Sequence, residues 1–470
     1  MAYPFLTFKT VLGTKYTDPL KQAGFLFLSF LFLFPNCLVA QVNATIGTQE
    51  TPVYPLAIDK LDLSNELEPL KSFFSSKSII GMGEATHGTR EFFELKHGVF
   101  QWLVQSCGYR VFGIEATYDG CCYINDFVQT GEGDIDRVMG YLDFWTWQTE
   151  EVRALILWMK DYNMQAHHLE KLSFYGFDMQ NFYAPVQYLN DFTKQHYATE
   201  YAAVRALSFP ILGKTELKIY QLLQNKDNKF EDSLQYTHKR LSEWLVENKG
   251  NLEASQTSNS YKTLHRCIDN LGQAIRSLSV KNTSKFRDSC MASNILAIQQ
   301  FENRKMFVWA HNGHVNLAYP DNHSEMMGLL MGGHLKKNLG AAYYAIGFVF
   351  NQGEFQAIQG PRSFGNAIFK YLFARKKMYQ GLKVCSVPIQ SKNTFSIALS
   401  KTPYPAYFVD ISHSDNPVFS TLLKTYDVGA IFMHYKRCTS SINAKKQYDG
   451  IIYVDQTRSA RPIQIKKMKK

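Results

Sequence analysis

A carboxylate and an imidazole stand three residues apart in Gly83-Glu84-Ala85-Thr86-His87-Gly88-Thr89, and two imidazoles share that separation in Trp309-Ala310-His311-Asn312-Gly313-His314. Glu115 and Asp178 add two carboxylates, each closing an apolar run. This set supports two chemistries. In one, a histidine deprotonates a water that attacks a carbonyl, carboxylates hold its orientation and charge, and another histidine protonates the leaving oxygen. In the other, the same side chains bind a divalent metal that activates the water. Residue types alone do not separate them. A capped surface turn accounts for the Glu84–His87 loop equally well when it is taken alone, and a lone histidine in an apolar setting is more often a satisfied core residue. It is the pair of histidines at another strand end that makes a shared site the better reading. There is no Gly-x-Ser-x-Gly elbow, His-Glu-x-x-His, phosphate-binding loop or dinucleotide fingerprint.

Two further features stand near this set. Trp145 and Trp147, in the run Phe144 to Arg153, could face a bulky apolar substrate, or could belong to the core, where most buried rings belong. Lys96 follows Phe92 by one helical turn; its ammonium either snorkels outward or points at the site.

The positioning elements follow from the apolar runs. Ser78 to Gly83 leads into Glu84, Arg110 to Ile114 into Glu115, Leu172 to Phe177 into Asp178, and Lys305 to Ala310 into His311. Near-continuous apolar strands separated by helices predict an α/β fold with a mostly parallel central sheet buried on both faces and flanked by helices. Arg90 to Cys107, with Phe92, Leu95, Val99 and Leu103 at helical spacing, is the first crossover. Since ligands of such sheets bind at the carboxyl ends of the strands, the four terminal residues should converge there. Thr89 can cap the following helix, whose first N–H groups favour negative charge in the crevice. From about 185 to 294 the texture turns polar and helix-favouring, which predicts a helical insertion; strand-like runs resume after Lys305.

The rest of the chain narrows the class. Of its 470 residues 45% are hydrophobic and 20% charged, enough for one large globular unit. Residues 1–40 read as a signal peptide: Lys15 and Lys21, an apolar run of about 12 residues from Ala23 to Phe34, and Cys37-Leu38-Val39-Ala40 before a cleavage after Ala40. That run is shorter than the roughly 20 residues a spanning helix needs, so a secreted or periplasmic protein without a stable membrane anchor is expected. Loss of Lys9, Lys15, Lys21 and Asp18 with the leader takes the formal charge from +10 to +8, partly owed to the tail Lys466-Lys467-Met468-Lys469-Lys470. No stacking-aromatic motif accompanies that tail, so nucleic acid is not an expected partner. Seven cysteines would remain in residues 41–470, at no zinc-like spacing.

Taken together, Gly83 to Thr89 with Glu91-Phe92, the strand ending in Glu115, the Trp-x-Trp run, Tyr175-Gly176-Phe177-Asp178-Met179-Gln180, Trp309-Ala310-His311-Asn312-x-His314, and Tyr448 to Asp455 with Arg461-Pro462 resemble the erythromycin esterase family. The resemblance spans roughly residues 55 to 463. It implies hydrolysis of a cyclic ester without a metal or a covalent serine intermediate, with the general base at His87, its acidic partners at Glu84 and Glu115, the later histidines at His311 and His314, and the family's basic residue on the following helix at Lys96. Trp145, Trp147, Lys96 and Asp178 are the expected substrate contacts. Members that confer macrolide resistance are expected inside the cell, whereas this chain reads as exported, so its ester or lactone need not be a macrolide. A metal-dependent hydrolase using the same residues and a non-catalytic binding protein on the same scaffold are the alternatives. Three carboxylates and three imidazoles exceed what a binding site alone needs.

Overall fold

The computed structural model describes residues 46–47, 51–142, 144–254, 260–320, 328–360 and 381–463; the expected leader and the lysine tail lie outside them. The strands of the described residues are β1 (Tyr54–Pro55), β2 (Ile79–Met82), β3 (Tyr109–Thr117), β4 (Ser173–Asp178), β5 (Lys305–Trp309), β6 (Tyr343–Gln359), β7 (Leu382–Val387), β8 (Ala406–Asp410), β9 (Leu423–Tyr426), β10 (Ile431–Phe432), β11 (Thr439–Ile442) and β12 (Gly450–Thr457). Ten form one sheet in the order β1-β8-β12-β6-β2-β5-β3-β4, with β7 and β10 on the far end of β6; β9 and β11 pair separately. The run from β12 to β4 is parallel, and the antiparallel pairings are at β1, β8 and β7. This is the mostly parallel, helix-flanked sheet the apolar runs predict.

Alternation along the strands explains burial on both faces. Ile80, Phe112 and Phe307 enter one core layer, while Ile79, Val111, Met306 and Val308 enter the other, as a period of two requires. The Arg90–Cys107 helix lies in the first layer and ends at Gly108, whose φ of 77° makes the left-handed cap that lets the chain reverse into β3. Central strand β2 has β5 on one side and β6 on the other, so the connections leave it in opposite directions. The crevice of a doubly wound sheet opens at such a switch, above the carboxyl ends of β2 and β5.

Among the described residues seven helices run from Ala184–His196 to Thr283–Glu302. Leu234, Leu241, Trp244, Leu264 and Leu271 give them a core of their own. The last one continues past the expected end at 294, because Met291, Ile295 and Ile298 pack on the sheet and not on the insertion. Its first turns thereby reach the crevice. Seven cysteines are buried, and among the described residues none is joined in a disulfide. No helix of the described residues is long and apolar enough to cross a membrane.

The chain end braces the site from below. Thr89 pairs with Ser459 and Thr149 with Pro462, while Gly88 O accepts from Gln356 N and Ala460 N, each at 2.9 Å. A Cβ at Gly88 would lie 2.3 Å from Gln356 O, so only glycine permits this approach of β6 to the loop. Arg458 Nε holds buried Glu91 at 2.7 Å, and Arg461 Nε holds buried Glu151 at 2.9 Å. Arg461→Ala leaves Glu151 the backbone N–H of position 461, 3.2 Å from Oε2, and as its cation only the more distant Arg90, 3.7 Å away. A loss of about 1–3 kcal/mol is expected, read as a lower urea midpoint; an unchanged midpoint would show that Arg90 suffices.

Candidate active site

The end of β2 carries Glu84 into a fully buried position. Gly83 permits this, since a Cβ there would stand 2.1 Å from Asn312 Oδ1; the two loops touch, and Asn312 N donates to Glu84 O at 2.9 Å. Glu84 Oε2 accepts from Lys96 Nζ and from Trp309 Nε1, both at 2.6 Å, and Oε1 lies 2.7 Å from His87 Nδ1. Burial opposes the charge on Glu84, but Lys96 and His87 outweigh it and hold the carboxyl below its usual range. An ionised partner can only accept, so His87 donates from Nδ1–H and keeps its Nε2 lone pair. With 14% of its side chain exposed, that ring reaches the crevice.

Lys96 does not snorkel. Its ammonium is fully buried, 4.3 Å above the Trp309 ring and near Phe348 and Phe93. Burial pushes its pKa down to about 8, against the opposing pull of Glu84.

A second ion network stands across the crevice. Glu115, at the irregularity in the β3–β4 pairing, accepts from Arg287 Nη2 at 2.6 Å through Oε1 and from the backbone N–H of His311 at 2.8 Å through Oε2. Burial would raise Glu115; His314 and Arg287 drive it far below the carboxylate range instead. Arg287 also forks onto Asp178, Nε to Oδ1 at 2.9 Å and Nη2 to Oδ2 at 2.8 Å. His314 Nδ1 stands 2.6 Å from Asp288 Oδ1, and its Nε2 lies 3.0 Å from Arg287 Nη1 and 3.3 Å from Glu115 Oε1. The arginine contact requires a neutral ring accepting at Nε2, whereas the glutamate contact requires a charged one. Burial lowers the affinity of His314 for a proton, but the two carboxylates prevail and raise it.

His311 lies between the networks, its ring 4.8 Å from that of His87. Nδ1 accepts from Gly313 N at 3.1 Å, so the proton is on Nε2, which faces Val428 O at 3.3 Å. Burial lowers its pKa.

All five Glu and His candidates therefore meet at one place. The substrate contacts divide. Asp178 is fully buried with both oxygens engaged, by Arg287, Met179 N and Gln180, so it supports Arg287 and is not an open contact. Trp147 is buried beneath His87, its indole N–H donating to Glu115 O at 3.1 Å, while Trp145 is half-buried. Arg287 and Asp288 escaped the sequence reading. In sequence they are a charged pair one turn into a polar helix, which reads as a solvated face; only the N-cap Asn282 marks the start that aims them. Among the described residues no three His, Cys, Asp or Glu side chains form a metal-ligand set. An ammonium and a guanidinium stand beside the carboxylates.

A family model described as erythromycin esterase matches residues 104–457. Erythromycin esterase type II of Escherichia coli is 22% identical over 317 residues, 63% of this chain and 74% of its own length. A Bacillus subtilis protein, YbfO, whose name carries a provisional hydrolase assignment, is 24% identical over 430 residues, 84% of this chain and 88% of its own. Among solved structures, a succinoglycan biosynthesis protein superposes with a TM-score of 0.69 at 20% identity, covering 87% of this chain and 96% of that one. A point mutant of the erythromycin esterase EreC in its open conformation gives 0.60 at 16% identity, covering 85% and 95%. At these identities the superpositions concern the fold.

Proposed function

The chain belongs to the erythromycin esterase family, and from that premise we propose that it hydrolyses an ester or lactone with a water activated by His87, without a metal. The observation that carries this reading is the Glu84–His87 pair: a buried, cation-held carboxylate fixes Nδ1–H and leaves Nε2 as a base at the crevice. Nε2 takes a proton from water as the hydroxide oxygen bonds to the acyl carbon. The tetrahedral oxyanion collapses, the carbon–oxygen bond to the leaving group breaks, and the alkoxide takes up a proton. The sum is one ester and one water giving one acid and one alcohol. Glu84 balances the imidazolium formed on His87, and His311, whose ring lies against it, is the second proton carrier. Arg287, 19% exposed and fixed by two carboxylates, supplies positive charge for the oxyanion.

Metal independence is supported by the donor set, in which Lys96 and Arg287 neutralise the carboxylates a cation would need. The apolar leader supports an exported protein acting on a small molecule outside the cytoplasm; a mature N-terminus at Gln41 is the result that bears on it, and one at Met1 removes it. The substrate is sought by mass spectrometry, screening macrolides and other lactones for the gain of one water before and after exhaustive chelation. Turnover is expected in the metal-free sample. Activity lost on chelation and restored by a divalent ion would make this a metal-dependent hydrolase, and tight binding without turnover a binding protein.

A further inference from the structure

Asp427 places a carboxylate oxygen beside the site in an unusual condition. Among the described residues Oδ1 is buried with no hydrogen-bond partner, and it stands 3.5 Å from His311 Nε2. The segment that carries it is fixed: Asp427 N donates to Cys438 O at 2.9 Å, Val428 N donates to Ala85 O at 2.7 Å, and Val428 pairs with Thr86. The oxygen is thus held against an imidazole that, in this geometry, is neutral. The Asp427 side chain is 32% exposed, so its charge is partly solvated, but the inner oxygen lacks a hydrogen bond that a charged His311 would supply.

Among the titratable groups that act on His311 are Asp427, His87, Glu115 and Glu84. Glu84 is taken by Lys96 and Glu115 by Arg287. Asp427 is the carboxylate whose inner oxygen is left for His311.

We propose that His311 takes up a proton during turnover and that Asp427 is the counter-ion that stabilises it there, a positioning residue for the reaction. The proton is the one His87 removes from water. It enters His311 at Nδ1, where the lone pair otherwise accepts from Gly313 N, and the Nε2–H then has Asp427 Oδ1 as an ionic partner. Transfer of that proton to the leaving alkoxide returns the ring to neutrality. This deepens the hydrolase reading and rests on it for the kinetics alone.

The test uses the full chain with isotope-labelled histidine. In Asp427→Asn, similar in shape and uncharged, the His311 titration midpoint followed by NMR is expected to fall by about one pH unit. With p-nitrophenyl butyrate as the probe ester, kcat is expected to fall roughly 10–100-fold with KM within about threefold, and Asp427→Glu to recover part of kcat. An unmoved midpoint overturns the proposal whatever the rate does, and so does a shifted midpoint with wild-type kcat. A wild type silent toward every ester would strike the hydrolase reading, while a shifted midpoint would still support the counter-ion.

Discussion

His87→Ala is expected to cut kcat by about a thousandfold or more while the protein stays folded. The ring's hydrogen bond within the protein is to Glu84 Oε1, and Glu84 keeps Lys96 and Trp309 on its other oxygen. The vacated space opens to the crevice, since the ring is partly exposed, so water can satisfy Oε1 and the stability cost should be about 1 kcal/mol. His87→Gln sharpens the test: an amide can still donate to Glu84 but cannot take a proton from water. Both variants should show wild-type circular dichroism and closely similar melting, with turnover of the substrate found by screening lost in each. Activity within tenfold of wild type in either would move the base to another imidazole.

How much of this site was legible depended on where each residue sits on the sheet. Glu84 and His311 follow buried strands of one parallel sheet and Glu115 lies two residues before the end of another, and the rule that such ends converge needs only a strand pattern. His87 and His314 follow within a turn of those ends. Helical spacing gives Lys96 a face but not what covers it, so its two orientations are equivalent in sequence; Trp309 and Phe348, from β5 and β6, enclose it. Arg287 comes from the insertion more than 100 residues after Glu115 and Asp178, and Asp288 beside it reaches forward 26 residues to His314, both on a turn whose polarity is that of a surface helix. Asp427 enters on a segment that meets the Glu84 loop through a single bridge, too short to leave a strand signature. Asp178 has the right place and a different task, since its strand end is met by the fork of Arg287. A residue contributed across layers has no local signal, and these are the ones that set the charge balance.

That balance makes Lys96 the most exacting residue to change. Lys96→Met would leave the Glu84 carboxylate wholly buried with no cation, at about 3–5 kcal/mol if it stayed ionised. The cheaper outcome is that Glu84 takes up a proton, releases its hold on the His87 tautomer, and kcat falls by about a hundredfold or more. Deprotonating Lys96 removes the same positive charge reversibly, leaving Glu84 ionised and without its cation beneath the base. Because burial brings its pKa down from 10.5 to about 8, activity is expected to decline with an alkaline limb near that pH. The stability effect of this group has the opposite sign. Between about 8 and 10.5 the unfolded chain holds the lysine proton and the folded chain has lost it, so this titration by itself raises stability as pH rises. Falling activity with an undiminished melting temperature therefore marks loss of the ammonium and not unfolding. Lys96→Arg separates the cause further, since a guanidinium keeps its charge to above about pH 12 and can stack on Trp309. Profiles of kcat from about pH 6 to 10, with melts alongside, should show the limb displaced upward in the arginine variant; the same limb in both proteins would assign it to another group and leave Lys96 a structural ion only.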